Sequence, residues 1–281
     1  MKKEYKTIKV FFEDGVAILT IDSPPVNQMS PQMGQDFGEA ITEAFADDTV
    51  KAVILTGTGK NFIAGADITR LRAVKDRDEV FEIAFGAARF LNSIEVGPKP
   101  VIAAINGNCL GGGLETAMVC HYRVAAPGVN LGQPEVQIGL IPGAGGTQRL
   151  PRLIGLPNAL EMITTGKPIK SEKAFMRGLV DQVVPADQIL EKAFEAARSF
   201  ISGKLNLPFH VTRNINDRLP SAAEKTAMMN YARVMTMQKG KGYIAPSKAI
   251  DALEQGLSYD IEAAIEKEVG LFADCAISDV A

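Results

Sequence analysis

Up to about Ala186, the chain alternates short apolar segments with longer segments of helical periodicity. Two strand-like segments, IKVFFED and VAILTID, flank Gly15 and predict a β-hairpin near the start of the chain. Three more apolar segments bounded by turn residues, KAVILTG, KPVIAAING and HYRVAA, predict short buried strands. Short strands that alternate with helices are typical of an α/β architecture, in which helices cover the sheet.

The helical segments are marked by periodicity and by end signals. Ser30 and Pro31 predict a helix start, because serine caps free N–H groups and proline suits the first helical position. A second helix is predicted from about Asp78 to Ile94, and another follows the glycine segment in GGGLETAMV. Beyond Ala186 nearly all of the chain has helical periodicity with apolar faces. We therefore predict one domain with a helical C-terminal extension.

Composition and charge limit the class of protein. Hydrophobic residues make up 46% of the 281 residues, which suits a chain that buries a core. The formal net charge is only −3, so no overall attraction to nucleic acid or anionic lipid is expected. The three cysteines lack paired spacing, which argues against disulfides and structural zinc. No leader peptide or membrane-spanning apolar segment is indicated, so we expect a cytoplasmic protein.

Several common enzyme motifs are missing from the sequence. Lys60 and Lys167 each follow a glycine but lack the other residues of a phosphate-binding P-loop. The segment GAGGTQ lacks the third glycine of a dinucleotide fingerprint, and no GxSxG nucleophile elbow occurs. The two histidines, His121 and His210, have no placed nucleophile and are interpreted as structural. These observations argue against kinases, dehydrogenases and serine hydrolases.

Glycine is concentrated at residues 64–67 (AGAD), 111–113 (GGG) and 142–146 (PGAGG). Glycine lets the backbone approach a ligand closely, and the GGG segment stands at a predicted helix start. Free N–H groups at a helix start suit a negative oxygen. Gly112 is therefore a candidate for one half of an oxyanion hole, and Ala66 for the other half. The alternative is that these glycines form only turns and close packing contacts.

Two glutamates lie among apolar or small residues, Glu115 in GGGLETAMV and Glu135 in LGQPEVQIGL. Burial of a charge is costly, so this setting indicates a pair in which one carboxyl group is protonated and the other ionised. Such a pair serves acid–base chemistry on water or on a carbon-bound proton. The alternative is an exposed glutamate near a helix end in each case. Asp67 is interpreted as a helix N-cap for ITRLR.

Three segments carry a resemblance to a known family. NFIAGADI, AAINGNCLGGGLETAMVC and LGQPEVQIGLIPGAGGTQRLPRLIG are similar to the enoyl-CoA hydratase/isomerase (crotonase) superfamily, and the resemblance covers nearly the whole chain. The 20-residue separation of Glu115 and Glu135 is similar to that in the hydratases of this family. The resemblance implies an α/β fold with a ββα spiral catalytic core over residues 1–200. It also implies a helical trimerisation region over residues 201–281, and a homotrimer or a dimer of trimers.

The resemblance also implies roles for particular residues. The N–H groups of Ala66 and Gly112 are expected to bind the thioester oxygen, and Glu115 and Glu135 to hold and activate a water molecule. Gly143 is expected to help position that water through its backbone. Further contacts with an acyl-CoA substrate are expected in and beside the AGAD loop and at the helix start, at residues Ala64, Gly65, Asp67, Ile68 and Leu114.

The implied reaction is syn addition of water to a trans-2-enoyl-CoA, which gives a 3-hydroxyacyl-CoA. Ionised Glu115 would take a proton from water, and protonated Glu135 would give one to the α-carbon. The reverse division stays open, because coupled carboxyl groups share their protons. No metal or cofactor is expected, apart from the coenzyme A of the substrate. The alternatives are a double-bond isomerase, which needs one carboxylate, and a non-catalytic acyl-CoA-binding subunit.

The C-terminal segment, GYIAPSKAIDALEQGLSYDIEAAIEKEV, is similar to the hydratase half of multifunctional fatty-acid oxidation proteins. The sequence stops before a dehydrogenase half, so we expect that second activity to be absent. Two positions depart from relatives: His121 replaces an aspartate found in many, and Thr69 replaces a lysine that contacts a CoA phosphate in some. The segment KGKGYIAP, with Lys239 and Lys241, is a candidate phosphate contact or a solvated basic loop.

Overall fold

The structure is a computed structural model that describes residues 4–67, 73–239, 244–258 and 260–278, with backbone only for 237–239. Its strands are β1 (Ile8–Glu13), β2 (Val16–Ile21), β3 (Ala52–Gly57), β4 (Asn61–Ile63), β5 (Val101–Ile105), β6 (Asn108–Leu110), β7 (Tyr122–Ala125), β8 (Asn130–Gly132), β9 (Ile169–Lys170) and β10 (Gln182–Val183). Its helices are α1 (Pro31–Ala46), α2 (Arg77–Glu95), α3 (Gly112–Val119), α4 (Gly146–Ile154), α5 (Leu156–Thr165), α6 (Ser171–Arg177), α7 (Ile189–Ile201), α8 (Ala222–Lys239), α9 (Ala245–Gly256) and α10 (Ile261–Ala276).

The strands form two sheets that the chain visits in turn. One sheet has the order β1-β2-β3-β5-β7-β10, and the other has the order β4-β6-β8-β9. In three successive units, a strand of the first sheet is followed by one of the second and then by helical structure: β3-β4-α2, β5-β6-α3, and β7-β8 with a 3-10 turn at Glu135–Ile138. The predicted α/β fold with a ββα spiral core is therefore confirmed.

The local signals near the start of the chain form the predicted elements. β1 and β2 pair as an antiparallel hairpin. Asp14 and Gly15, with φ of 50° and 78°, form its two-residue turn, and positive φ at both positions suits the twist of a tight hairpin. The Ser30 hydroxyl accepts a hydrogen bond from the N–H of Met33 (3.2 Å), and Pro31 opens α1.

Both faces of the inner strands of the first sheet are buried, whereas the edge strand β1 is largely exposed. β2 contributes Ala17 and Leu19 to a large apolar cluster shared with α1, α2 and the second sheet. Its alternate residues, Val16 and Ile18, pack in a second cluster under α7. Burial on both faces is why these strands are nearly continuous apolar segments, without the polar alternation of a half-exposed strand.

The C-terminal helices pack on the same core as the spiral. α10 contacts α2, α4 and α9, and α9 also contacts α5. Ile250 and Leu253 of α9 and Ile265 and Val269 of α10 belong to the large apolar cluster of the sheets. The boundary at residue 200 and the trimerisation role of residues 201–281 stay predictions. None of the described helices combines the length and the apolar composition needed to cross a membrane.

Candidate active site

The start of α3 is built on glycine. The helix begins at Gly112, so two of the three glycines lie inside its first turn. Gly111 has a φ of +54°, which favours glycine, and its carbonyl accepts hydrogen bonds from the N–H groups of Leu114 and Glu115 (2.8 and 3.0 Å). A Cβ atom on Gly111 would lie 2.9 Å from Oε1 of Glu135. These glycines therefore form a turn and also let a carboxyl group approach the helix start.

The backbone N–H groups of Ala66 and Gly112 lie close together at this helix start. A Cβ atom on Gly112 would lie 3.9 Å from the nitrogen of Ala66. The two neighbours of Ala66 pair with the backbone of Met29. The Gly65 carbonyl accepts from the Met29 N–H (2.9 Å), and the Asp67 N–H donates to the Met29 carbonyl (3.3 Å). The N–H of Ala66 itself takes no part in this pairing. Within the described ranges, neither Ala66 nor Gly112 donates its N–H to a protein acceptor. Two neighbouring free donors suit an oxygen that gains negative charge.

Glu115 lies in the interior, with only 4% of its surface exposed, so the alternative of an exposed helix-terminal glutamate is wrong for this residue. Its Oε1 accepts hydrogen bonds from the N–H groups of Ala144 (2.8 Å) and Gly146 (2.9 Å). Burial raises the pKa of Glu115, while these two donors and the charge of Arg149 limit the rise. Glu115 is thus a buried carboxyl group whose ionised form is supported by backbone donors.

Glu135 opens the 3-10 turn after β8. The buried amide of Gln133, with its nitrogen towards this carboxyl group, donates to both oxygens of Glu135 at 2.8 and 3.2 Å. Burial of the carboxyl group, and then the negative charge of Glu115, raise the pKa of Glu135 well above its ordinary value. Of the two carboxyl groups, Glu135 therefore holds its proton to a higher pH than Glu115.

A third carboxyl group, Glu268 of α10, lies next to this pair and is fully buried. Burial, and then the charge of Glu115, raise the pKa of Glu268 to about 8. This residue is not among the site residues predicted from the sequence. Glu268 lies on the apolar face of α10. Ile265 precedes it by three residues, Val269 follows it directly, and Phe272 lies one helical turn further on. A glutamate inside an apolar helical stripe was the signal that could have revealed it.

Arg149 supports the same loop from a buried ion pair. Its guanidinium donates to Oε2 of Glu95 (2.8 Å) and to the carbonyl of Ala144 (3.1 Å). Arg213 also donates to Oε2 of Glu95 (3.0 Å). Burial alone would raise the pKa of Glu95, but the charges of Arg149 and Arg213 hold it below its ordinary value. This network connects the end of α2 to α4 and to the 3-10 turn at Thr212–Asn214.

The two histidines lie away from the carboxyl groups, in structural settings. The fully buried ring of His121 accepts from the N–H of Val101 at Nδ1 (3.0 Å), and its Nε2 lies 3.1 Å from the carbonyl of Glu95. The ring of His210 packs edge-on against Phe200, with a centroid distance of 5.1 Å. A neutral imidazole therefore occupies position 121.

The other predicted site residues occupy different settings. A Cβ atom on Gly143 would lie 2.8 Å from the ring of Phe272, and within the described chain the Gly143 N–H has no protein acceptor. Ala64 and Asp67 are partly exposed in the loop after β4, Gly65 has a φ of +110°, and Leu114 is fully buried in the apolar core. Five predictions concern groups outside the described structure: Ile68, Thr69, Lys241, the side chain of Lys239, and the helix at residues 68–72 that Asp67 was expected to cap.

In the described part of the chain, a ββα spiral places two N–H groups that lack a protein acceptor beside a pair of carboxyl groups, and this arrangement defines the crotonase class of enzymes. The family model for enoyl-CoA hydratase/isomerase matches residues 12–245, and the chain belongs to this family. The fatty acid oxidation complex subunit alpha of Shewanella frigidimarina is 41% identical over 273 residues, which is 95% of this chain. The peroxisomal fatty acid beta-oxidation multifunctional protein MFP2 of Arabidopsis thaliana is 38% identical over 94% of the chain. The chain spans 38% and 36% of the lengths of these two relatives.

Solved structures have the same fold. An enoyl-CoA hydratase from Bacillus anthracis is 35% identical, with a TM-score of 0.66 over 83% of this chain and 89% of that one. A carnitinyl-CoA dehydratase from Mycobacterium thermoresistibile has a TM-score of 0.77 over 98% of this chain and 87% of that one. At 23% identity, the second likeness supports the fold alone.

Proposed function

We propose that this chain adds water syn across the double bond of a trans-2-enoyl-CoA and gives a 3-hydroxyacyl-CoA, as in fatty-acid β-oxidation. The observation that carries the proposal is the neighbouring carboxyl pair, Glu115 and Glu135, beside the N–H groups of Ala66 and Gly112, which have no acceptor among the described residues. Membership of the enoyl-CoA hydratase/isomerase family supports it. So do relatives that are named for fatty-acid oxidation.

The two free N–H groups act on the thioester oxygen. As water attacks the β-carbon, electrons of the double bond move towards the carbonyl, and negative charge gathers on that oxygen. The N–H groups of Ala66 and Gly112 are held by the backbone and need no reorganisation when this charge develops. One such donor contributes about 3 kcal/mol to stabilisation of the transition state, or about a hundredfold in rate.

The two carboxyl groups move the protons. Ionised Glu115 takes a proton from the attacking water, so the oxygen that bonds to the β-carbon becomes a hydroxyl group. Protonated Glu135 gives its proton to the α-carbon as the enolate collapses. The pair then holds one proton, as before, but on the other carboxyl group, and the starting state returns when the two exchange it. The N–H of Gly143 is available to the water.

The reaction needs no redox cofactor, because water adds as a proton and a hydroxyl group without net oxidation. The proposal includes no metal either, since the backbone N–H groups stabilise the charge on the oxygen. Coenzyme A enters as part of the substrate, and contacts at Ala64, Gly65, Asp67, Ile68 and Leu114 belong to the proposal. We place the enzyme in a reducing compartment, the cytoplasm, on the ground of its free buried cysteines. The test of location is cell fractionation, because the Arabidopsis relative is named peroxisomal.

The test is a hydration assay on a panel of enoyl-CoA esters, followed by the loss of conjugated thioester absorbance. Glu115→Gln and Glu135→Gln should each lower kcat by about 10²- to 10⁴-fold, because each removes a proton-transfer group. KM should change little, since both carboxamides keep the shape of the site. Glu161→Gln, at an exposed glutamate of α5, is the matched control and should behave as the wild type.

Near-normal turnover by either site variant would refute the two-carboxylate mechanism. A β,γ-unsaturated ester in the same panel tests the isomerase alternative, which needs only one carboxylate. An isomerase would convert that ester and lose activity in only one of the two variants. Tight binding of esters without any turnover would instead indicate a non-catalytic subunit.

A further inference from the structure

Four consecutive backbone N–H groups, those of residues 144–147, alternate between two buried carboxyl groups. Ala144 and Gly146 donate to Oε1 of Glu115 at 2.8 and 2.9 Å. Gly145 donates to Oε1 of Glu268 at 2.5 Å, and Thr147 donates to Oε2 of Glu268 at 2.8 Å. The Thr147 hydroxyl also donates to Glu268. The segment is therefore held from opposite sides by two acids.

Glu268 reaches this segment from the C-terminal helix, 123 residues beyond Gly145 in the chain. One helical turn further along α10, Phe272 packs against Gly143 so closely that a Cβ atom there would lie 2.8 Å from the ring. Arg149 binds the carbonyl of Ala144 at 3.1 Å. The donors that hold Glu115 thus depend for their direction on side chains of α10 and α4.

We propose that Glu268 is a positioning residue for the hydration reaction, which holds the 143–147 segment so that its N–H groups point at Glu115 and at the water. This inference rests on the proposed hydratase function. Glu268 needs no contact with the substrate, because it acts through the backbone. Glu268 accepts hydrogen bonds from the N–H groups of Gly145 and Thr147 and from the Thr147 hydroxyl, and these bonds fix the backbone of the segment. In that conformation the N–H groups of Ala144 and Gly146 point to one oxygen of Glu115.

The charge of Glu268 has a second consequence for the pair. The charged groups that face the segment are Glu115 from α3, Glu135 from the turn after β8, and Arg149 from α4. Once the pH exceeds its pKa of about 8, Glu268 is negative and raises the pKa of Glu135, after the larger effects of burial and of Glu115. Glu135 is then kept protonated, as proton donation to the α-carbon requires, to a higher pH than it would be without Glu268.

The main experiment compares Glu268→Gln with Glu266→Gln, an exposed glutamate two residues away on the same helix. In Glu268→Gln, kcat should fall by about tenfold or more while KM stays within about threefold, because the transition state loses a positioned base. The alkaline limb of the kcat–pH profile should move to lower pH, because Glu135 loses a negative neighbour. Glu266→Gln should match the wild type in all three measurements.

A second pair of variants keeps the test decisive if Glu268→Gln does not fold. Thr147→Val removes the hydroxyl that donates to Glu268 and accepts from the amide of Gln148 (2.6 Å), but it keeps the carboxyl group of Glu268. We therefore expect kcat to fall while the alkaline limb stays close to that of the wild type. Thr147→Ser keeps that donor and should restore turnover. Wild-type kcat in Thr147→Val, or an unchanged kcat and pH profile in a folded Glu268→Gln, overturns the positioning role.

The experiments distinguish failure of the positioning role from failure of the proposed hydratase function. Lack of hydration by the wild type and by Glu266→Gln would overturn the proposed function. Hydration by the wild type together with unchanged Glu268→Gln would overturn the positioning role alone. The pKa values of Glu115 and Glu135, followed by NMR of ¹³C-labelled carboxyl groups, test the coupling without turnover. A lower pKa of Glu135 in Glu268→Gln supports the coupling, and identical titrations in the two proteins overturn it.

Discussion

Glu115 and Glu135 differ in what surrounds their oxygens. Glu115 accepts two backbone N–H groups, whereas Glu135 faces the amide of Gln133 and the charge of its partner. The N–H groups of Ala144 and Gly146 are fixed by the backbone, so they stabilise the ionised form of Glu115 without any rearrangement. Because a second negative charge close by is unfavourable, the proton resides on Glu135. The division of acid and base roles thus follows from hydrogen bonding rather than from residue type, which is the same.

His121 shows how a single buried residue links stability to pH. Burial lowers the pKa of His121 to about 4, and the nearby charge of Arg123 acts in the same direction. With Nδ1 accepting from Val101, the proton of the neutral ring lies on Nε2 and points to the carbonyl of Glu95. An unfolded chain binds a proton on this histidine near its ordinary pKa of about 6.5, while the folded chain does not.

We therefore expect the contribution of His121 to stability to be complete above pH of about 6.5 and to be lost as the pH falls towards 4. Urea unfolding of the wild type and of His121→Gln, measured from pH 7 down to pH 4, checks this. The wild type should lose more stability than the variant across that window, because only the wild type has the buried ring. Parallel losses in the two proteins would contradict the assignment.

At the scale of elements, the ion-pair network of Glu95 holds three parts of the chain together. Glu95 ends α2, Arg149 lies in α4, and Arg213 lies in the 3-10 turn that follows α7. The side chains of Glu95 and Arg149 are fully buried, so water cannot solvate either charge if the ion pair is broken. The same guanidinium of Arg149 holds the carbonyl of Ala144, and the network thereby supports the loop that binds Glu115.

Glu95→Gln should destabilise the protein by about 3–5 kcal/mol, because it leaves the buried guanidinium of Arg149 without a counter-charge. Glu195→Gln is the control, since it breaks an exposed pair with Lys192 and should change stability by less than about 1 kcal/mol. Urea denaturation of both variants measures the difference. A similar small loss in both would show that burial adds nothing to the Glu95 pair.

Many element boundaries were predictable from local signals. The hairpin, the cap at Ser30 and the helix over Arg77–Glu95 lie where turn residues, capping residues and apolar periodicity placed them. These signals work because hairpin turns, helix caps and apolar stripes act within a few residues. The start of α3 differed slightly, since Gly112 and Gly113 lie inside the helix. Glycine is needed in that first turn because a Cβ atom on Gly112 would lie 2.9 Å from Sδ of Met29, and one on Gly113 would clash with the carbonyl of Ile63.

At the scale of the whole molecule, apolar surface remains outside the core of the single chain. The large side chains that stay exposed include Phe175, Met176, Phe209, Tyr231 and Val234. Exposed apolar surface of this kind is covered in many proteins by association with further copies. The homotrimer or dimer of trimers is the assembly that we propose for this chain.

Light scattering in solution should therefore give three or six times the chain mass of 30.1 kDa. The measurement is made across a dilution series, because a stable assembly keeps its mass on dilution whereas a weak contact does not. A mass of one chain at all concentrations would contradict the trimer.

The sequence by itself determined five strands of the first sheet, several of the helices, the glycine segments, the family and the two glutamates of the candidate pair, because each is expressed in neighbouring residues. Tertiary structure decided which groups surround that pair. Glu268 meets Gly145 across 123 residues, and Glu95 meets Arg213 across 118. Apolar periodicity indicates that one face of a helix is buried, but it does not indicate which loop that face packs against. The partner depends on how elements that are distant in the sequence pack together. The hydrogen-bond donors and charges that shift the pKa values of Glu115, Glu135 and Glu268 are brought together only by this packing.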